Sequence, residues 1–223
     1  WGSRTLSNHF NGALSTAELA LGEQIRKSDQ PYRSAWFGKF NLQHTTGAGG
    51  GGIATSGADF GWDYVKGFFT CCSNYTNFSA TTNHGYRNGN NSTDGGITNT
   101  SDYLGDKVFA DAISWLGTIG DDPYVLVVSS HIAHGKMHNA GSTDLEVLGA
   151  ETVDCPLASI DHCQSSMIDR WDDQIPSLLS AIDTSNTLVI FISDDGDARR
   201  GTTGVCRWDA GGTGAKGKLS ECG

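Results

Sequence analysis

The sequence is short of positive charge, with 15 Lys and Arg against 25 Asp and Glu and a formal net charge of −10. With no basic stripe, no nucleic-acid partner is expected. No apolar run approaches the roughly 20 residues that a helix needs to cross a bilayer, so no membrane span is expected. No signal-type leader is visible in these residues, which leaves the secretory route open. The six cysteines, Cys71, Cys72, Cys155, Cys163, Cys206 and Cys222, include no C-x-x-C pair, which disfavours a zinc ribbon. A mix of disulfides and buried thiols is expected instead. Cys155 and Cys163 are close enough in sequence to close a short loop. The glycine-rich run 47–52 lacks the Lys-Ser/Thr of a phosphate-cradling loop.

What is present is glycine, 30 of 223 residues, with only 18% charged residues. That balance suits a loop-rich α/β enzyme, and the length suits one domain over 1–223 with a buried core. Five N-x-[ST] sequons start at Asn74, Asn77, Asn90, Asn91 and Asn99. They sit in a polar stretch, about 73–101, expected to be a loop insertion. Sequons and cysteines together predict the secretory route: secreted, lysosomal or periplasmic.

The spacing of apolar residues orders the chain. Ser15 and Glu18 form an S-x-x-E box that predicts a helix from about Thr16 to Lys27, with Leu21 and Ile25 inward. Ser34 to Lys39 reads as a short strand. Val108, Phe109, Ala112, Ile113 and Leu116 recur at helical spacing, which predicts a helix over about 102–117. Two apolar runs, YVLVVSS from Tyr124 and LVIFIS from Leu188, read as buried strands. Ile168, Trp171, Ile175, Leu178, Leu179 and Ile182 mark another helix, which Pro176 should kink or restart. Strands alternating with helices predict an α/β fold, a mainly parallel (mixed) central sheet with helices on both faces.

Chemistry is expected beyond the carboxyl ends of such strands. The first ends at Gly38-Lys39, the second runs into His131-Ile132-Ala133-His134, and the third ends at Asp194-Asp195-Gly196. Adjacent carboxylates after a buried strand call for a compensating cation. Their oxygens suit Ca²⁺, with Mg²⁺ possible. Asp-Asp-Gly is equally good turn chemistry, so metal site and solvated turn both fit. His131, His134 and His138 lie in a Gly-broken segment that argues against a three-histidine zinc site. One of them as an acid/base or anion-binding group fits better.

Six stretches in order carry a resemblance to a known family. They are TAELALGEQIRKSDQPYRSAWFGKF, ADFGWDYVKG, SDYLGDKVFADAISWL, PYVLVVSSHIAHGKMH, MIDRWDDQIPSLLSAI with TLVIFISDDG, and GAKGKLSECG. Each is weak alone. Together they resemble the sulfatases of the alkaline phosphatase superfamily, including arylsulfatases and the N-acetylglucosamine-6-sulfatase branch, and span nearly the whole chain.

The resemblance implies an alkaline-phosphatase-like fold and hydrolysis of sulfate esters on sulfated carbohydrate or aryl sulfate. It implies that Asp194 and Asp195 match a pair of calcium ligands. Lys39 and Lys216 match lysines that grip the sulfate, and His134 matches the histidine near the leaving oxygen. The family's formylglycine, matured from C/S-x-P-S/A-R, has no counterpart here, nor has its early acidic pair. Both are expected upstream of Trp1, so the fragment alone is expected to be inactive.

The family's G-K-W-H histidine is replaced by Asn41, and His44 is a candidate substitute. A phosphomonoester or phosphodiester hydrolase of the same superfamily is the nearest alternative. An inactive, glycan-binding homologue is another.

Overall fold

The computed structural model describes residues 20–30, 32–39, 61–68, 86–90, 94–98, 102–130, 132 and 160–192. The chain divides into two compact units, one of Ala13–Asp183 and one of Trp1–Gly12 with Thr184–Gly223. The first unit holds helix α1 (Leu21–Arg26), strand β1 (Arg33–Lys39), β2 (Tyr64–Phe68), β3 (Tyr86–Asn90) and β4 (Asp94–Thr98). Helix α2 (Leu104–Ile119), strand β5 (Tyr124–Ser129), and helices α3 (Ile160–Asp172) and α4 (Ile175–Ser180) follow.

The strands form one mixed sheet in the order β4-β3-β2-β1-β5. β1 lies parallel to both β2 and β5, pairing Phe37 with Lys66 on one side and with Val128 on the other. β3 and β4 extend the sheet antiparallel. The hairpin occupies part of the polar stretch that reads as a loop in sequence. YRNGN and DGGIT carry no apolar alternation, and backbone pairing of β3 to β2 and of β4 to β3 holds them in the sheet.

β1 explains the two-sided core. Its alternation sends Ala35 and Phe37 to one face, where they pack with Leu104, Val108 and Ala112 of α2. Trp36 goes to the other face and joins Trp62, Val65 and Ile25 of α1. β5 divides likewise, with Leu126 and Val128 toward α2 and Val125 and Val127 toward Trp62. Helices therefore cover both faces, as predicted.

Two apolar expectations change. Leu21 is 53% exposed. In this short helix it is the backbone of Gly22 and Glu23, not the Leu21 side chain, that lies against Gly61. Residues 188–192 form no strand, and their side chains are 52–84% exposed. An apolar run marks a candidate strand, but a ladder and a covering layer must come from elsewhere in the chain. Pro176, in contrast, restarts the helix as expected: α3 stops at Asp172 and α4 begins with proline in its first turn.

Candidate functional site

The three parallel strands finish together, so Lys39, Phe68 and Ser129 mark one carboxyl edge of the sheet. Lys39 is half-buried as the last residue of β1. Gly38, just before it, has φ of +98°, a backbone conformation that side-chain-bearing residues rarely adopt. A methyl group there would overlap the carbonyl oxygen of Ser129 on β5. A methyl at Gly67 would overlap the carbonyl oxygen of Gly38 itself. The backbones of β5 and β2 thus close in from two sides on the residue that precedes Lys39.

The first turns of α2 reach this edge. Val108 approaches Gly38, and Ile132, just beyond β5, packs at Gly105. The Ser130 hydroxyl accepts a hydrogen bond from the Ile132 amide at 3.2 Å, bending the chain as it leaves β5. On the opposite face of β1, the Trp36 indole Nε1 donates to the Lys39 carbonyl at 2.9 Å. Trp36 is itself held edge-on against Trp62, with ring centroids 5.5 Å apart.

The Gly61-Trp62-Asp63 stretch anchors this scaffold. Gly61, with φ of +81°, lets the backbone reach α1. Asp63 Oδ2 accepts from both the amide and the hydroxyl of Ser34, at 2.9 and 3.0 Å. The Ser34 hydroxyl oxygen in turn accepts from the Asp63 amide at 3.0 Å. Ser34 is buried, and this reciprocal pairing satisfies its hydroxyl.

Two further polar clusters brace the helices. Lys66 Nζ lies 2.7 Å from Asp111 Oδ1, linking β2 to α2, and Lys107 approaches the other oxygen of Asp111 at 3.5 Å. Burial raises the Tyr64 pKa, and the Asp111 charge adds to that rise. Arg170 of α3 grips Asp106 of α2 in a fork, its NH2 nitrogen 2.6 Å from Oδ2. The same guanidinium lies 4.9 Å from the centre of the Tyr103 ring. These clusters join stretches of sequence and stiffen the sheet–helix frame under the carboxyl edge.

The family model for sulfatases matches residues 8–219. The chain belongs to the sulfatase family. Solved structures agree on the fold. Ps i-CgsB, in complex with k-i-k-neocarrahexaose, is similar with a TM-score of 0.52 at 13% identity, over 77% of this chain and 38% of that one. A Bacteroides thetaiotaomicron protein, from work on the metabolism of multiple glycosaminoglycans, is similar with a TM-score of 0.51 at 13% identity, over 76% and 39%. This sulfatase chain therefore spans less than two fifths of the length of those structures. No curated protein matches the sequence.

Of the five site residues expected from sequence, Lys39 falls among the described residues, at the carboxyl edge where it was predicted. His134, Asp194, Asp195 and Lys216 lie outside them, as do His131, His138, Asn41, His44 and Cys155. Among the described residues there is no cluster of three or more His, Cys, Asp or Glu able to hold a metal ion. Nor is any described helix long and apolar enough to cross a membrane.

Sequence reasoning missed Trp36 and the close backbone approach at Gly38 and Gly67. An aromatic residue near the end of a strand is ordinarily core, and nothing in the letters shows that its N–H reaches the carbonyl three residues on. The glycine immediately before Lys39 was the available signal.

Proposed function

We propose that the protein carrying this chain is a sulfuric ester hydrolase acting on sulfated carbohydrate or aryl sulfate. The observation that carries this reading is the sulfatase-family match over residues 8–219. Lys39 at the carboxyl edge of the parallel strands supports it.

In this reading Lys39 and Lys216 hold the sulfate oxygens as cations. Charge grows on the transferring group and on the leaving oxygen in the transition state, and fixed positive partners lower that barrier most. His134 or Lys216 gives the leaving oxygen a proton, so the sugar or phenol departs as a neutral alcohol. Asp194 and Asp195 supply hard carboxylate oxygens, a donor set that suits Ca²⁺ and also admits Mg²⁺. The cation would supply further charge neutralisation of the sulfate. A formylglycine nucleophile is expected outside this chain. The sequons and cysteines favour a secreted, lysosomal or periplasmic setting.

The test is turnover by the full-length protein of an aryl sulfate against the matching aryl phosphate. Sulfate turnover should dominate, and Lys39→Ala should cost about 10²-fold in kcat/KM, as loss of one charge-stabilising donor does. A preference for the phosphate would make it a phosphohydrolase of the same superfamily. Affinity for sulfated glycan without turnover would make it a binding homologue.

A further inference from the structure

We propose that Trp36 is a positioning residue for Lys39, aiming the lysine at the sulfate through the hydrogen bond from its indole N–H to the Lys39 carbonyl. The inference rests on the reading of Lys39 as a sulfate-gripping residue and adds how its direction is fixed.

A residue in a regular parallel strand offers its carbonyl to a neighbouring strand. The Lys39 carbonyl accepts Trp36 Nε1 at 2.9 Å, from the same strand three residues earlier. Gly38 lies between donor and acceptor, and its φ of +98° departs from ordinary strand geometry there.

Gly38 has no freedom to relax. The Ser129 carbonyl occupies the space of its missing side chain, and its own carbonyl fills the space beside Gly67. The indole is equally fixed, set at 75° to the ring of Trp62, which is 2% exposed. The Lys39 backbone is thus clamped from two sides, by close-packed strands at Gly38 and by a rigid donor at Trp36.

Lysine carries a point charge on a flexible four-carbon stem. Any tilt of its backbone is amplified at the ammonium. A misplacement of about 1 Å at a reacting centre can cost about 10²-fold, and functional groups must be held to roughly 0.5 Å. A part-buried indole N–H needs an acceptor in any case, and the one it finds here is the carbonyl of Lys39.

The experiment uses the full-length enzyme with two replacements. Trp36→Phe keeps an aromatic ring near Trp62 and removes the donor. Trp36 replaced by β-(3-benzothienyl)alanine keeps the indole shape and puts sulfur in place of the N–H, so it guards against a folding defect in the first variant. Both should lower kcat/KM for an aryl sulfate by about tenfold, an expected partial misplacement. The inhibition constant of inorganic sulfate should rise in parallel. That of the neutral, desulfated alcohol should stay unchanged, because only the anion meets Lys39.

Wild-type kinetics in the benzothienyl variant overturn the inference, as does an equal loss of sulfate and neutral-alcohol binding. Lys39→Ala separates the two levels of the argument. If Lys39→Ala is fully active, the reading of Lys39 itself is wrong. If Lys39→Ala is crippled while the benzothienyl variant is unaffected, Lys39 stands and Trp36 has no role in aiming it.

Discussion

YVLVVS over 124–129 and LVIFI over 188–192 are nearly interchangeable as text, and the molecule treats them differently. The first is β5, laddered to β1 along its length, with side chains packed toward both core clusters. The second forms no strand and presents Leu188 at 84% and Ile192 at 80% exposure. Hydrophobicity is the same, so composition does not decide burial. A parallel strand needs neighbours to take its hydrogen bonds and layers to cover both faces. β5 finds β1 beside it and α2 above it. Residues 188–192 form no strand, and their side chains stay exposed.

The comparison can be broken most forcefully at its two extremes. Phe37 lies in the middle of β1, fully buried between Tyr64 and Trp115. Phe37→Ala should destabilise the fold by about 3–5 kcal/mol, the usual cost of emptying an aromatic core site. Ile190→Ser should change stability by less than about 0.5 kcal/mol, as exposed positions do. It should also reduce aggregation, since an exposed apolar extended run is a template for association. Urea denaturation of both variants measures the contrast. A loss for Ile190→Ser approaching that for Phe37→Ala would place the second run in a core after all.

The same contrast shows what was legible in the sequence. β1, β5 and α2 were readable because Trp36-Phe37, VLVV and the 108–116 series carry strong apolar patterns at the right period. The restart at Pro176 followed from the missing N–H of proline. The β3–β4 hairpin was not readable, because backbone pairing, of YRNGN to β2 and of DGGIT to YRNGN, and not side-chain pattern holds it. The exposure of 188–192 was not readable either, since a run of letters does not say whether a neighbour exists. At the site, the position of Lys39 could be placed from the end of its strand. Its supporting clamp could not, because the Trp36 bond appears only in three dimensions.

A middle-sized effect belongs to the join between helices. Asp106 and Arg170 come from two motif stretches 64 residues apart and meet in a two-pronged contact. Both side chains are about one third exposed, 33% and 30%, so solvent weakens the pair. Fork geometry and the Tyr103 ring work the other way. Arg170→Ala should cost about 1–2 kcal/mol, more than an exposed pair and less than a core aromatic. A double-mutant cycle with Asp106→Ala should show a coupling of about 1 kcal/mol. Strict additivity would mean that Arg170 acts only through its stem packing on Tyr103.

The smallest effect is a pH dependence, and it arises in the packed region. Tyr103 is 6% exposed at the start of α2. Burial pushes its pKa well above the ordinary tyrosine value of 10.0, the Arg170 guanidinium pulls it partly back, and the Asp106 carboxylate pushes it up again. The sign follows from linkage. In the unfolded chain the hydroxyl loses its proton near pH 10, while the folded protein still holds it. Above that point the unfolded state binds fewer protons than the folded one, so stability falls as pH rises. The contribution is complete below about pH 10 and is lost as the pH climbs toward the folded value. Each pH unit in that window can remove at most about 1.4 kcal/mol per group. Tyr103→Phe has no proton to lose. Its denaturation free energy should therefore fall less steeply between pH 10 and 11 than that of the wild type, whatever its baseline. Tyr64 is also raised, first by burial and then by Asp111, and should leave a residual slope in the variant. Arg170→Ala removes the pull that lowers the Tyr103 pKa and should extend the sloping window further upward. Parallel stability curves for wild type and Tyr103→Phe would mean that the hydroxyl titrates alike in both states, and that burial of the ring does not reach its oxygen.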